Sequence, residues 1–121
     1  MNKKITVADY IVDFLYNLGI RNVFMLSGTG SVQLDDAFAR KGGMKYICAR
    51  HEATAVVMAE AVAKLKNRLG VTVVTTGPGG TNAIAGVTEA WVDTVPLLVL
   101  SGQVKSSQII DDRAFGIQDT P

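Results

Sequence analysis

A run of β-branched residues from Val71 to Thr75 passes through Thr76 into the turn Gly77-Pro78-Gly79-Gly80-Thr81-Asn82. Such runs are typical of strands buried on both faces of a parallel sheet. Glycines with a proline suit a tight strand-to-helix turn. One strand earlier, Arg50-His51-Glu52 opens a helix of small residues. Both turns then leave the same edge of one parallel sheet. An acid and a close-approach backbone meet there, which commits the chain to a layered α/β architecture.

The rest of the chain follows the same alternation. Thr6 caps a first helix from Val7 to about Leu18, with Ala8, Ile11, Val12, Leu15 and Leu18 on its apolar face and Gly19 at its end. Asn22 to Leu26 reads as a short buried strand. Ser27 to Gly30 is a turn, and Ser31 caps a helix to about Arg40. Lys45 to Ala49 is the next strand, and His51 to about Leu69 is the longest helix. Val71–Thr75, a helix from Gly79 to about Val92, and a strand from Pro96 to Ser101 complete the series. Strands alternating with helices imply a three-layer α/β/α fold with a parallel sheet. Ser106 to Pro121 is polar and without period, so the fold reads as truncated.

Composition narrows the function. Hydrophobic residues are 48% and charged residues 19% of the 121, the balance of a folded domain. Twelve basic against eleven acidic residues leave a net charge of +1, with no basic stripe for nucleic acid and no polybasic cluster for a membrane. No stretch approaches the ~18 apolar residues of a membrane span. The expectation is a soluble, cytoplasmic protein. The single cysteine, Cys48, excludes an internal disulfide and falls in an apolar stretch, where a buried, inert thiol is expected. The single histidine, His51, rules out a histidine metal cluster.

In open α/β sheets ligands bind outside the carboxyl ends of the strands. Four turns leave those ends: Ser27–Ser31, Arg50–Glu52, Gly77–Asn82 and Ser101–Gln103. The bland reading of Glu52 is an acid favoured by the helix dipole. The residues after it, Ala53 to Val62, are nearly all apolar, so the helix reads as buried all round. A carboxylate leading such a helix is poorly solvated, and desolvation favours the protonated form. Gly77–Asn82 can cradle a phosphate, but it is neither a dinucleotide fingerprint nor a P-loop. Trp91 and Tyr46 read as core or interface.

Taken in order, these segments resemble the N-terminal, pyrimidine-binding domain of thiamine-diphosphate-dependent enzymes of the acetohydroxyacid synthase and pyruvate decarboxylase group. Val23–Gly30 resembles that family's "VFGxPGG" turn, Arg50–Ala61 its "RHE" helix, Thr75–Asn82 its "TSGPGatN" turn and Pro96–Gln103 its "PllxixGq" strand. Residues 1–121 are then one such domain from a larger enzyme, without the domain's C-terminal portion. Ser27 stands where many members have proline, which puts the substrate in doubt.

The resemblance implies a mechanism. Glu52 would bond a ring nitrogen of the aminopyrimidine and favour its imino tautomer, which deprotonates the thiazolium carbon for attack on a 2-oxo acid. Pro78 and Asn82 would lie beside the pyrimidine, and Gly28 and Thr29 would approach the thiazolium. Gln118 would face the substrate. Mg²⁺ and the diphosphate would be held by a separate domain of the same or a partner subunit, whose motif this sequence lacks. Flavin (FAD) is the further cofactor the acetohydroxyacid synthases admit. The resemblance implies a homo-oligomeric carboligase or decarboxylase, with the isolated chain inactive and weak in binding. A non-catalytic assembly or dimerisation module of the same fold is the alternative.

Overall fold

A computed structural model describes residues 5–109. Helix α1 (Val7–Asn17) precedes β1 (Asn22–Met25), α2 (Val32–Arg40), β2 (Lys45–Cys48), α3 (Glu52–Lys66), β3 (Gly70–Val74), α4 (Pro78–Val92) and β4 (Leu97–Ser101). A single 3-10 turn, Ser106–Gln108, follows. The strands form one parallel sheet in the order β2-β1-β3-β4. The fold is therefore the three-layer α/β/α arrangement expected, with each element within a few residues of its expected bounds.

Local chemistry sets the boundaries. Thr6 accepts the Asp9 amide at 3.0 Å and starts α1. Gly19, at φ +87°, ends the turn beyond it. Ser31 stands at the start of α2 but makes no side-chain cap; its hydroxyl donates to Gly28 O and Asp35 Oδ2 instead. Helix α3 begins at Glu52, with His51 outside it as the cap: His51 Nδ1 accepts the Ala53 amide at 3.2 Å. It ends three residues earlier than expected because Asn67 turns left-handed, at φ 47°.

The period-2 alternation of the strands divides the core in two. Val23, Met25, Val71 and Val73 join Val12, Leu15 and Phe38 under α1 and α2. Phe24 packs with Ala55 and Ala59 of α3 on the other face, and Val74 packs with Val56 and Ala83. Thr72 is fully buried on that face and satisfies its hydroxyl on Ala55 O at 3.2 Å.

Two expectations about burial fail. Helix α3 is not buried all round: Ala55, Val56, Ala59 and Ala63 face inward, but Val57 and Leu65 are exposed. Among the described residues it packs mainly against the sheet and α4, which leaves an outer stripe open. Cys48 is exposed as well, because β2 is an edge strand whose four residues are all exposed. Tyr46 shares that edge, and Trp91 stands on the outer side of α4, so neither belongs to the core.

Helices α3 and α4 are in tight contact at Gly86. A Cβ there would stand 2.7 Å from Val56 Cβ and 3.1 Å from Ala53 O. Alanine gains about 1 kcal/mol of helix propensity over glycine. Overpacking against a fixed branch point costs about 1–3 kcal/mol. Gly86→Ala is therefore expected to lower the urea midpoint of unfolding, with an unchanged slope. A midpoint raised by the full propensity gain would show that the two helices separate freely.

Candidate functional site

The strand order places a topological switch between β1 and β3, which run side by side while their following helices cover opposite faces. Ligand crevices form outside the carboxyl ends of such strands. The turns that leave them are Ser27–Ser31 from β1 and Thr75–Gly77 from β3. Arg50-His51-Glu52 reaches the same edge from β2.

Glu52, the first residue of α3, is only 6% exposed. Asn82, one turn into α4, donates its side-chain Nδ2 to Glu52 Oε2 at 3.1 Å. One carboxylate oxygen is thus fixed by an amide from the facing helix. The other, Oε1, lies toward Gly79, where an added Cβ would come within 3.7 Å. The absent side chain keeps that oxygen's flank open. Pro78 occupies the first turn of α4, where its missing N–H costs nothing, and is exposed beside the pair.

Thr75 joins the two turns. Gly30 N donates to Thr75 Oγ1 at 3.1 Å. A Cβ on Gly28 would fall 2.5 Å from Thr75 Cβ, and one on Gly79 would fall 2.8 Å from Thr75 Cγ2. The β1 turn with Gly28 and Thr29 and the β3 turn with Glu52's open flank therefore lie on two sides of one threonine. Thr76, beside it, is buried with its hydroxyl unpartnered. These two residues were missed in the sequence. The signal was present as two hydroxyls at the end of a buried strand, directly before the glycine turn.

Two cavities flank the β1 turn. One, of about 580 Å³, has a largely apolar lining that includes Met25, Gly28, Thr29, Val32 and Cys48. The other, of about 470 Å³, runs from Thr29 and Gly30 to Gln103, Val104 and Lys105. A third groove, of about 510 Å³, lies between α1 and α2 among the ion pairs Asp9–Arg40 and Asp13–Lys41, away from the strand ends.

Asp35 lines the apolar cavity. Burial pushes its carboxyl up from the ordinary 3.8, against the lowering effect of bonds from Ser31 and Gly28. A raised folded value means that folding favours the protonated acid. That contribution is complete below pH 3.8 and is lost as pH rises through the folded value. Asp35→Asn is thus expected to raise the denaturation midpoint at pH 7, by less than about 1 kcal/mol because the half-buried group is screened. The gain should vanish below pH 3.8; an equal gain at both pH values would contradict this origin.

Glu52, Asn82 and Pro78 are brought together, and Gly28 and Thr29 lie on the far side of Thr75. Gln118 lies outside the described residues. No cluster of His, Cys, Asp or Glu among the described residues could hold a metal ion. No helix there is long and apolar enough to cross a membrane.

Residues 5–118 match the family model described as thiamine pyrophosphate enzyme, N-terminal TPP binding domain. The chain is 42% identical over 102 residues to the acetolactate synthase isozyme 3 large subunit of Escherichia coli K12, which covers 84% of this chain and 18% of that protein. It is 40% identical over 120 residues to the acetolactate synthase large subunit of Lactococcus lactis, covering 99% of this chain and 21% of that protein. The chloroplastic acetolactate synthase of Arabidopsis thaliana is 36% identical over 114 residues, covering 94% of this chain and 17% of that protein. The chain spans about a fifth of the length of these relatives.

Proposed function

Because the chain belongs to the thiamine pyrophosphate enzymes through their N-terminal TPP-binding domain, we propose that it supplies the pyrimidine-binding half of an acetolactate-synthase-like carboligase acting on a 2-oxo acid. The observation that carries this reading is the Glu52–Asn82 pair at the β1/β3 switch point. A nearly buried carboxylate has one oxygen held and the other left open by Gly79. That donor set fits an aminopyrimidine, a flat ring whose nitrogen needs one acid at hydrogen-bond range.

Bound there, thiamine diphosphate would supply the carbon nucleophile that adds to the 2-oxo acid. The chain's own part is to hold and protonate. Asn82 pins Glu52 Oε2, so Oε1 would be the atom to bond the ring nitrogen and share a proton with it. A carboxyl group wholly free in water is ionised near neutral pH and has no proton to share. Pro78, exposed beside the pair, would border the ring. Gly28 and Thr29 would face the reacting end, with no side chain at Gly28 to block the approach to Thr75. Gln118 is proposed to face the substrate, as the family resemblance implies.

Mg²⁺ and the diphosphate would be held by a second domain, of the same subunit or of a partner. Val57 and Leu65 of α3, with Ile84 and Trp91 of α4, are exposed on the outer side of that helix pair. An exposed apolar surface of this kind suits cover by another copy, which favours reading the protein as a homo-oligomer. The isolated chain is proposed to be inactive, and flavin is the further cofactor that such an enzyme admits.

Calorimetric titration of thiamine diphosphate with Mg²⁺ tests this, with the chain alone and with the chain extended through any downstream coding sequence. Weak binding alone and tight binding with 2-oxo acid turnover in the longer form are expected. No binding in either form would leave a non-catalytic assembly module as the better reading.

A further inference from the structure

The α3/α4 pair carries a second set of polar contacts at the end away from the site. Lys64 Nζ stands 2.7 Å from Glu60 Oε1 and 2.6 Å from Asp93 Oδ2. Glu60 is 2% exposed, and its Oε2 has no hydrogen-bond partner. A buried carboxylate is costly without a cation, so Lys64 is tied to Glu60 in a way an ordinary surface lysine is not. Asp93 is the C-cap of α4: its amide donates to Glu89 O at 3.0 Å, and the Thr94 amide donates to Trp91 O at 3.1 Å. The lysine thus links a buried acid of one helix to the fixed end of the other. Bonds donated to Asp93 and Glu60 hold its ammonium well above the ordinary lysine range.

We propose that Lys64 and Asp93 are positioning residues, which keep Glu52 and Asn82 in register from the far end of the two helices. The geometry is that of a lever. Both helices have 15 residues and start at the candidate site. Between the ends, α3 and α4 touch closely where Gly86 lies on Val56. Glycine offers a point contact about which helices can swivel. Glu52 lies four residues from Val56, about 6 Å along the axis, and Lys64 lies eight residues away, about 12 Å. A swivel of about 10° would displace Glu52 by about 1 Å, and a misplacement of that size is costly to a reacting pair. The same swivel would carry Lys64 about 2 Å from its place, enough to break its contact with Asp93.

This inference rests on reading Glu52 and Asn82 as the cofactor-facing pair, but its test reads their geometry without cofactor, so either can fail alone. In the nitrogen-15-labelled chain, the Asn82 δ-amide proton given to Glu52 is expected downfield of its geminal partner. Glu52→Ala should collapse that separation. Asp93→Ala, which removes only an exposed side chain, should move it most of the way to the Glu52→Ala value, and Lys64→Met should do the same. Asp36→Ala removes one of the two carboxylate partners of Arg40 on α2 and should leave Asn82 unmoved.

An Asn82 signal unchanged in Asp93→Ala overturns the proposal. An equal shift in Asp36→Ala also overturns it, because the effect is then general loosening. So does a wild-type Asn82 that matches Glu52→Ala, because no pair is then held. If Lys64→Met fails to fold, Asp93→Ala decides alone.

Discussion

Glu52→Gln, made in the complete enzyme, is expected to lower turnover of a 2-oxo acid by about 10²–10⁴-fold, the range lost with a positioned general acid or base. The substitution keeps the shape of the side chain, and its amide oxygen can still accept from Asn82. What disappears is the transferable proton on the oxygen that Gly79 leaves open. Thiamine diphosphate should still bind, within about tenfold, because one neutral hydrogen bond replaces one charge-assisted bond. Fold and unfolding midpoint should change little, since no volume is lost. Steady-state decarboxylation with a parallel cofactor titration checks this. Turnover within a few-fold of wild type, with tight binding retained, would remove Glu52 from the chemistry.

Gly102→Ala is expected to destabilise the chain by about 3 kcal/mol, at the upper end for overpacked sites. A Cβ there would overlap Gly30 O and stand 2.8 Å from Ser31 N. These are backbone atoms of the β1 turn and cannot rotate aside. Gly102 N is itself bonded to Val74 O at 2.9 Å, so the end of β4 cannot yield either. The turn must then move, and the Gly30 N bond to Thr75 Oγ1 lengthens or breaks. Chemical denaturation should show the loss. In the complete enzyme, cofactor affinity should fall with it. Wild-type stability and affinity in Gly102→Ala would mean that β4 and the β1 turn are not in close contact.

The architecture was legible because two periods were clean. Val71 to Val74 could only be a buried strand, and Val12 with Leu15 marked the inner side of α1. The acid at Glu52 and its partner turn were legible for the same reason, since each follows a strand on one sheet edge. Burial was less legible. Residues of α3 such as Val57 and Leu65 are apolar yet exposed, because sequence records that a side chain seeks cover but not whether this chain provides it. Cys48 misled in the same way: apolar neighbours imply burial in a central strand, but β2 is at the edge. Thr75 and Thr76 were invisible as site residues because their role depends on two turns that are 45 residues apart, joined by the Gly30–Thr75 bond. The Lys64 link was equally hidden, since Lys64 and Asp93 are 29 residues apart.

The most direct measurement is the rate of hydrogen–deuterium exchange at the acidic thiazolium carbon of bound thiamine diphosphate, in the complete enzyme with Glu52 and with Glu52→Gln. It isolates the proton step from substrate binding, decarboxylation and release. Exchange slowed by about 10²-fold or more in the variant, at saturating cofactor, is the result expected if Glu52 activates the cofactor. Equal rates at full occupancy would contradict that assignment and leave Glu52 as a helix-end acid held by Asn82.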